Sequence, residues 1–138
     1  MCGLVGFIVS SDHDNNFLNN NIKKMSAAIS HRGPDSTGNF TDIQSGLAFG
    51  HNRLAIQDLS KAGYQPMQSP NNLYNIIFNG EIYNHLELRS KLEQDGIICK
   101  WKGFSDTETI LNCVENWGVP KTLENLNGMF ALAIWDFQ

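Results

Sequence analysis

The chain begins with the stretch Met1-Cys2-Gly3-Leu4-Val5-Gly6-Phe7, which places a cysteine directly after the initiator methionine. Cells remove that methionine when the next side chain is small, so the mature chain would begin with Cys2. A terminal α-amine has a pKa of about 7.7 to 8.0 and can accept a proton near neutral pH, and a thiolate is a strong nucleophile. Cys2 alone could then supply both the attacking atom and the base. The alternative is that Cys2 only opens an apolar strand, because free cysteine is often buried.

Length and composition predict one globular domain. The chain has 138 residues, of which 41% are hydrophobic, and its net charge is -4. With no run of basic residues beyond Lys23-Lys24, this charge argues against nucleic-acid binding. Three cysteines form no paired framework, and neither a secretory signal nor a membrane-length apolar segment is visible. We therefore expect a soluble, cytoplasmic protein, and the oligomeric state stays open.

Apolar spacing predicts alternating strands and helices without repeats or a linker, and therefore both sheet and helix layers. The predicted strands cover residues 3–9, where burial is expected, and residues 38–43, 46–56, 73–78, 97–101 and 129–137. The predicted helices run from a cap at Asp14 or Asn15 to Gly33-Pro34, from a cap at Asn84 to Gln94, from a capping box at residues 105–108 to Gly118, and over residues 121–125. Residues 57–72 are predicted as a loop. Because the last strand stops with an open edge, we expect a piece of a longer chain.

Asn79-Gly80 follows an apolar strand and allows two interpretations. Asn-Gly is a common two-residue hairpin turn. An Asn side-chain amide and a Gly backbone N–H can also converge as two donors on one oxygen, which is what an oxyanion hole requires. Taken alone, the pair favours the turn.

Three charged residues are candidates for ligand binding. Arg53 lies in a strand-like run and would either point to solvent, pair with a carboxylate, or bind a substrate carboxylate in bidentate fashion. Glu81 and Asp106 occupy loop or cap positions, where the simpler interpretations are a solvated carboxylate and a first-turn residue favoured by the helix dipole. For Asp106 the capping box at residues 105–108 already explains an acidic residue. A carboxylate held at a helix start is also positioned to receive an ammonium group.

The histidines have no metal-ligand spacing, so we predict no metal site. His31 and His51 remain candidates for the base of a conventional Cys–His pair.

Taken together, six ordered blocks resemble one family. They are Met1-Cys2-Gly3-Leu4-Val5-Gly6, His31-Arg32-Gly33-Pro34-Asp35, Gly50-His51-x-Arg53-Leu54-x-Ile56-x-Asp58, Gln65-Pro66-Met67, Phe78-Asn79-Gly80-Glu81-Ile82-Tyr83-Asn84 and Ser105-Asp106-Thr107-Glu108. The chain resembles the class II glutamine amidotransferase domain of the glutamine-hydrolysing asparagine synthetase type, in the N-terminal-nucleophile superfamily. The resemblance runs from residue 1 to about residue 136. It implies an α+β fold, a four-layer αββα sandwich of mainly antiparallel sheets, with residues 1–138 forming a type-2 domain that lacks its final strands.

The resemblance also implies roles for particular residues. Cys2 would be the nucleophile with its own α-amine as base, and Asn79 and Gly80 would form the oxyanion hole. Arg53 would bind the α-carboxylate of glutamine, and Glu81 and Asp106 its α-ammonium. Backbone groups of Leu54, Ala55, Ile56 and Gln57 would line the pocket.

The implied reaction is hydrolysis of glutamine to glutamate and ammonia through a Cys2 thioester, with ammonia passing to an ATP-dependent synthetase domain or subunit. No Ser-Gly-Gly-x-Asp nucleotide motif occurs, so ATP and magnesium are expected only for that absent domain and no cofactor is expected here. Two alternatives stay open. One is an N-terminal-nucleophile amidohydrolase that acts on another amide, and the other is a catalytically silent or unstable fragment that binds or regulates a partner.

Overall fold

The computed structural model describes residues 2–10 and 12–138, so Met1 and the question of its removal lie outside the described residues. That part of the chain contains six strands and four α-helices. In chain order they are β1 (Gly3–Ile8), α1 (Asn15–Ala28), β2 (Ser36–Asp42), β3 (Leu47–Arg53), β4 (Met67–Gln68), β5 (Tyr74–Ile82), α2 (His85–Gln94), α3 (Asp106–Trp117), α4 (Val119–Asn125) and β6 (Gly128–Asp136). Short 3-10 turns occupy Ser30–Arg32 and Lys61–Gly63.

The strands form two three-stranded antiparallel sheets. The first has the order β1-β3-β2 and the second the order β4-β5-β6. In the first sheet Gly3 pairs with Asn52, and in the second Asn79 pairs with Ala131. β3 and β5 are therefore the central strands, and each carries residues of the predicted site.

The two sheets pack face to face between helices. Between the sheets, Leu47 and Phe49 of β3 form an apolar cluster with Ile77 of β5. The outer face of the second sheet buries Ile76 and Phe78 against the apolar residues of α2 and α3, and α1 covers the first sheet by contacts with β3. This arrangement confirms the predicted α+β fold with αββα layers and antiparallel sheets.

Several element boundaries differ from those predicted. β1 is an edge strand and only partly buried, with Ile8 59% exposed, so the prediction of a buried strand was wrong. α1 is capped by Asp14 as one of the two predictions had it, but it ends at Ala28, well before Gly33. Residues 97–101 form no strand, and the predicted loop over residues 57–72 contains β4. The N-cap of α2 is Asn84 as predicted, but its side chain makes no hydrogen bond to the helix. Instead its Nδ2 donates to Asn125 O and its Oδ1 accepts from Asn127 N.

The hairpin interpretation of Asn79-Gly80 was also wrong. Both residues lie inside β5, which continues to Ile82 and pairs along its length with β6. Glycine is required at position 80 because β6 runs so close: a Cβ there would lie 2.6 Å from Phe130 Cα and would collide with Met129 O. The Asn-Gly pair is therefore held as extended strand by a partner some fifty residues further along the chain.

Candidate active site

An open cavity of about 240 Å³ lies where the N-terminus, the end of β3, β5 and the start of α3 meet. The predicted site residues that line it are Cys2, Arg53, Leu54, Ile56, Gln57, Asn79, Gly80, Glu81 and Asp106. Ala55, which was predicted to line the pocket, lies outside this lining because its N–H turns away to donate to Asp35 Oδ2 at 2.8 Å. Residues far apart in the sequence are thus brought to one cavity.

The thiol of Cys2 lies in the cavity wall, against the backbone of Leu54. Leu54 N donates to Sγ at 3.3 Å, and the thiol lies 3.6 Å from Leu54 O. On its other side, Cys2 O accepts from Arg32 Nε at 3.1 Å. Cys2 is half-buried and is not part of either apolar cluster, which argues against a role as an ordinary core residue.

One edge of β5 faces the cavity, and its backbone partners can be followed residue by residue. In a strand, the N–H and C=O of alternate residues point to the same edge. On this edge, Tyr74 O accepts a hydrogen bond from Ser69 N, and Tyr74 N donates one to Ser69 Oγ. Further along the strand, Phe78 N donates to Gln65 Oε1 at 2.6 Å. Ile82 N, at the far end, donates to Asp106 Oδ2 at 2.9 Å.

Gly80 lies between Phe78 and Ile82 on this same edge of β5. No described residue accepts from its N–H, whereas its neighbours on the edge are satisfied. An unpaired backbone N–H on a cavity wall is a ready donor for a ligand oxygen. The side chain of Asn79 lines the same cavity and makes no hydrogen bond to a described residue.

Arg53 places a buried positive charge at the cavity. Its side chain is only 6% exposed, and it donates to two backbone carbonyls, Ser60 O at 2.9 Å and Asp58 O. The guanidinium also lies 5.2 Å from the centre of the Tyr64 ring. Among the described residues it forms no direct ion pair. Asp58 is the nearby acid: its pKa is lowered, first by hydrogen bonding with Ser60 and to a smaller extent by the charge of Arg53. A buried guanidinium without a direct ion pair can still bind an anionic group.

Besides Asp58, the two predicted carboxylates Glu81 and Asp106 line the cavity with Arg53. Asp106 is the first residue of α3, and its oxygens accept from Ile82 N at 2.9 Å and Thr107 N at 2.8 Å. Burial raises the pKa of this carboxyl above its usual range, although the two backbone donors favour the charged form. Glu81 is exposed and accepts from Gln57 Nε2 at 3.3 Å. With Asp58, these two carboxylates give the cavity three acidic groups beside the buried cation Arg53.

Neither candidate histidine contacts the thiol. The ring Nε2 of His51 lies 3.0 Å from Phe78 O, and His31 is exposed in a 3-10 turn with no hydrogen bond to Cys2. The Cys–His pair is therefore not formed in the described part of the chain. Within residues 2–10 and 12–138 no group of three or more His, Cys, Asp and Glu side chains is placed to hold a metal ion.

Several residues that were not predicted as site residues hold this site together. Asp35 fixes the segment after β3 through Ala55 N, and Asp58 accepts from Phe104 N at 2.9 Å and so ties that segment to the residues before α3. Gln65 bonds the edge of β5, as described above. All three residues lie in the ordered sequence blocks, and this was the only indication in the sequence that they are important. Membership of a block does not predict which backbone group a side chain binds.

Comparison with known proteins identifies the family. A sequence model described as the glutamine amidotransferase domain matches residues 1–138. The chain belongs to the glutamine amidotransferase family. Among similar proteins, this amidotransferase domain is 41% identical over 140 residues to "Asparagine synthetase [glutamine-hydrolyzing] 1" of Bacillus subtilis (strain 168), covering 99% of the chain and 21% of that protein. It is 34% identical to "Asparagine synthetase [glutamine-hydrolyzing] 3" of the same organism, again covering 99% of the chain and 21% of the relative.

A solved structure shares the fold of this amidotransferase domain. It is the glutamine phosphoribosylpyrophosphate amidotransferase from B. subtilis complexed with ADP and GMP, with a TM-score of 0.52 and 25% identity over 69% of this chain and 23% of that one. The domain spans about a fifth of the length of the curated relatives it matches. In the described part of the amidotransferase domain, none of the helices combines the length and the apolar character needed to cross a membrane.

Proposed function

We propose that this domain hydrolyses the side-chain amide of free glutamine to glutamate and ammonia, with Cys2 as the nucleophile. One observation supports this most directly. Cys2 lines a cavity whose wall includes the β5 edge, where the Gly80 N–H has no acceptor among residues 2–10 and 12–138. A nucleophilic sulfur and a free backbone donor in one cavity are the two components that acyl transfer requires.

The charges of the cavity suit a free amino acid. Arg53 is a buried cation that would take the α-carboxylate, and Glu81 and Asp106 are carboxylates that would take the α-ammonium. Leu54, Ile56 and Gln57 line the cavity beside them. Glutamate would fit the same charge pattern, but it carries no amide nitrogen to release.

The reaction then has two stages. The Cys2 thiolate attacks the side-chain amide carbon, and the resulting oxyanion accepts hydrogen bonds from Gly80 N–H and the Asn79 amide. The carbon–nitrogen bond breaks, and the proton taken from the thiol goes to the departing nitrogen, which leaves as ammonia. Water then cleaves the γ-glutamyl thioester, restoring the thiol and releasing glutamate. Each oxyanion donor is worth about 2.7 to 4 kcal/mol of barrier.

The base in this proposal is the α-amine of Cys2, which exists only after Met1 is removed. Leu54 holds the thiol through its backbone, and no imidazole contacts the sulfur in the described part of the chain, so a terminal amine is the base that the local chemistry favours.

The ammonia acceptor is proposed to be an ATP-dependent synthetase domain or subunit in the cytoplasm. The support is the names of the relatives, which are glutamine-hydrolysing asparagine synthetases about five times as long as this domain. ATP and magnesium would belong to that acceptor, and aspartate would be the carboxylate that it aminates.

The test is release of glutamate from glutamine by the chain with Cys2 at its terminus. Cys2→Ala should abolish glutamate release, whereas Cys99→Ala, a half-buried cysteine outside the cavity, should retain it. Equal glutamate release by Cys2→Ala and the native chain would exclude Cys2 as the nucleophile.

Two further measurements separate the alternatives. N-Acetylglutamine lacks the α-ammonium, so a preference for it over glutamine would favour an amidohydrolase of different specificity and reject the binding roles of Glu81 and Asp106. Full activity in a chain whose mass shows a retained Met1 would reject the terminal amine as base.

A further inference from the structure

The peptide groups of Phe78 are held by side chains and not by a neighbouring strand. β4 pairs with β5 only at Met67 and Gln68, opposite Ile76 and Asn75, so β5 lacks a strand neighbour at Phe78 on this edge. Two side chains take its place: Phe78 N donates to Gln65 Oε1 at 2.6 Å, and Phe78 O lies 3.0 Å from His51 Nε2. Together they satisfy both backbone groups of Phe78.

The proton on His51 is assigned by its partner. A carbonyl oxygen only accepts, so Nε2 must carry the hydrogen and donate it to Phe78 O. His51 is 1% exposed. Burial is the main reason that the pKa of its imidazole is lowered to about 4, so the ring is neutral at physiological pH. Its Nδ1 is buried without a partner in the described part of the chain, so a single hydrogen bond fixes the ring.

Phe78 is the last residue anchored on this edge before Gly80, whose N–H has no acceptor in the described part of the chain. Its carbonyl begins the peptide group that it shares with Asn79, and Gly80 follows on the same edge. The next anchor is Ile82 N, which donates to Asp106 Oδ2 at 2.9 Å. On the cavity-facing edge, Gly80 thus lies between an anchor made by His51 and Gln65 and a second anchor made by Asp106, while β6 pairs with β5 along the opposite edge. A donor in an oxyanion hole is effective only when its direction is fixed before the charge develops.

We propose that His51 is a positioning residue for the oxyanion hole: through Phe78 O, and together with Gln65 on Phe78 N, it sets the direction of the Gly80 N–H. The inference rests on the proposed function for its catalytic meaning, but its geometric part concerns the strand alone. It also explains why one face of β3 carries both His51 and Arg53: His51 orients the donor for the amide end of the substrate, and Arg53 faces the other end.

The test compares two substitutions of matched size. Gln in His51→Gln can place an amide N–H near the position of Nε2, whereas His51→Leu removes the donor. Leu18→Ala, in the buried face of α1 and remote from the β5 edge, controls for general loss of stability. Gln65→Met removes the acceptor from Phe78 N and serves as a second variant if His51→Leu does not fold.

Two readouts are measured on each variant of the full chain. The first is the ¹H–¹⁵N resonance of Gly80 and its hydrogen-exchange rate, which need no substrate. The second is kcat and KM for glutamine, set beside the rate at which chloroacetamide alkylates Cys2, a displacement that forms no oxyanion.

We expect His51→Leu, or Gln65→Met in its place, to shift the Gly80 amide resonance and to speed hydrogen exchange at that amide. The same variant should lower kcat by about 10- to 100-fold, while KM and the alkylation rate stay within about twofold of the native values. His51→Gln should restore both readouts, and Leu18→Ala should move neither. A folded His51→Leu chain with a native Gly80 resonance overturns the proposal, as does a His51→Gln chain that behaves like His51→Leu. If the native chain releases no glutamate, the proposed function fails, and the Gly80 resonance still decides the geometric inference.

Discussion

Leu54 holds the Cys2 thiol by its backbone, with its N–H 3.3 Å from Sγ and its carbonyl oxygen 3.6 Å away. Leu54 is the first residue after β3, and the segment that it begins is fixed by Asp35, whose Oδ2 accepts from Ala55 N at 2.8 Å. Asp35 in turn is tied to the end of β3, because its own N–H donates to Arg53 O at 3.0 Å. The position of the nucleophile therefore depends on a carboxylate that does not line the cavity.

Asp35→Ala should loosen the Leu54 contact and lower kcat/KM for glutamine by about 3- to 10-fold, since a small misplacement of a reacting group slows the reaction. Asp35→Asn keeps an oxygen acceptor at the same position and should stay within about twofold of native. The measurement is glutamate release, with chloroacetamide alkylation of Cys2 as an independent probe of the thiol. If Asp35→Asn and Asp35→Ala are equally impaired, the hydrogen bond to Ala55 N is not the cause.

Gly80→Ala should damage both packing and chemistry. An added Cβ would lie 2.6 Å from Phe130 Cα, so β5 and β6 must separate, which we expect to lower the free energy of unfolding by about 1 to 3 kcal/mol. The same movement would redirect the Gly80 N–H and lower kcat by about 100-fold or more.

The matched control for this change is Gly6→Ala in β1. A Cβ on Gly6 would lie 2.8 Å from Phe49 Cδ1, so the substitution should also destabilise the chain, yet Gly6 does not line the cavity. Urea unfolding and glutamine turnover of both variants separate the two effects. A comparable fall in kcat for both would mean that loss of packing alone accounts for the Gly80 result.

The sequence blocks predicted which residues gather at the cavity, but the local pattern failed where a distant partner decides the conformation. Asn79-Gly80 has the composition of a turn, and only pairing with β6 keeps it extended. Residues 97–101 show the opposite case: they have the composition of a strand but no partner edge, so no strand forms. Neither outcome can be read from a window of ten residues, because hydrogen-bonding partners across a sheet are set by the tertiary fold.

The capping box before α3 was half right for a related reason. Ser105 Oγ accepts from Glu108 N at 3.3 Å as predicted, but the Glu108 carboxylate accepts from Lys102 N at 2.7 Å and Gly103 N at 3.0 Å. Arg89 of α2 completes this arrangement by donating to Gly103 O and Ser105 O. The Glu108 side chain, which could have completed the capping box, instead holds the backbone of the segment before Asp106. This role depends on the packing of α2 against α3, which the local sequence does not show.

Arg53→Lys should raise KM for glutamine while changing kcat little. The guanidinium donates to Ser60 O and Asp58 O and still faces the cavity, whereas a lysine ammonium cannot keep both carbonyls and present a planar pair of donors to a carboxylate. We expect KM to rise by about tenfold or more, which corresponds to about 1.4 kcal/mol of binding. Steady-state kinetics with glutamine give this directly. An unchanged KM would remove Arg53 from the α-carboxylate site.

The last prediction concerns stability as a function of pH. Burial lowers the pKa of His51 from 6.5 to about 4, so between these pH values His51 is protonated in the unfolded chain and neutral in the folded chain. Above pH 6.5 the imidazole is neutral in both states and does not lower the free energy of unfolding. As the pH falls from 6.5 to about 4, the unfolded chain becomes protonated at His51 before the folded chain does, so the free energy of unfolding decreases progressively. The full loss over this window is about 3 kcal/mol. His51→Gln does not titrate, so the unfolding free energy of the native chain should fall by that amount relative to the variant.

Urea titrations of both chains across this pH range measure the difference, and the contributions of other titrating groups, including His85, whose pKa burial also lowers, cancel in the comparison. Parallel stability curves for the native chain and His51→Gln would contradict a buried, neutral imidazole at Phe78 O, and with it the tautomer on which the anchoring of β5 depends.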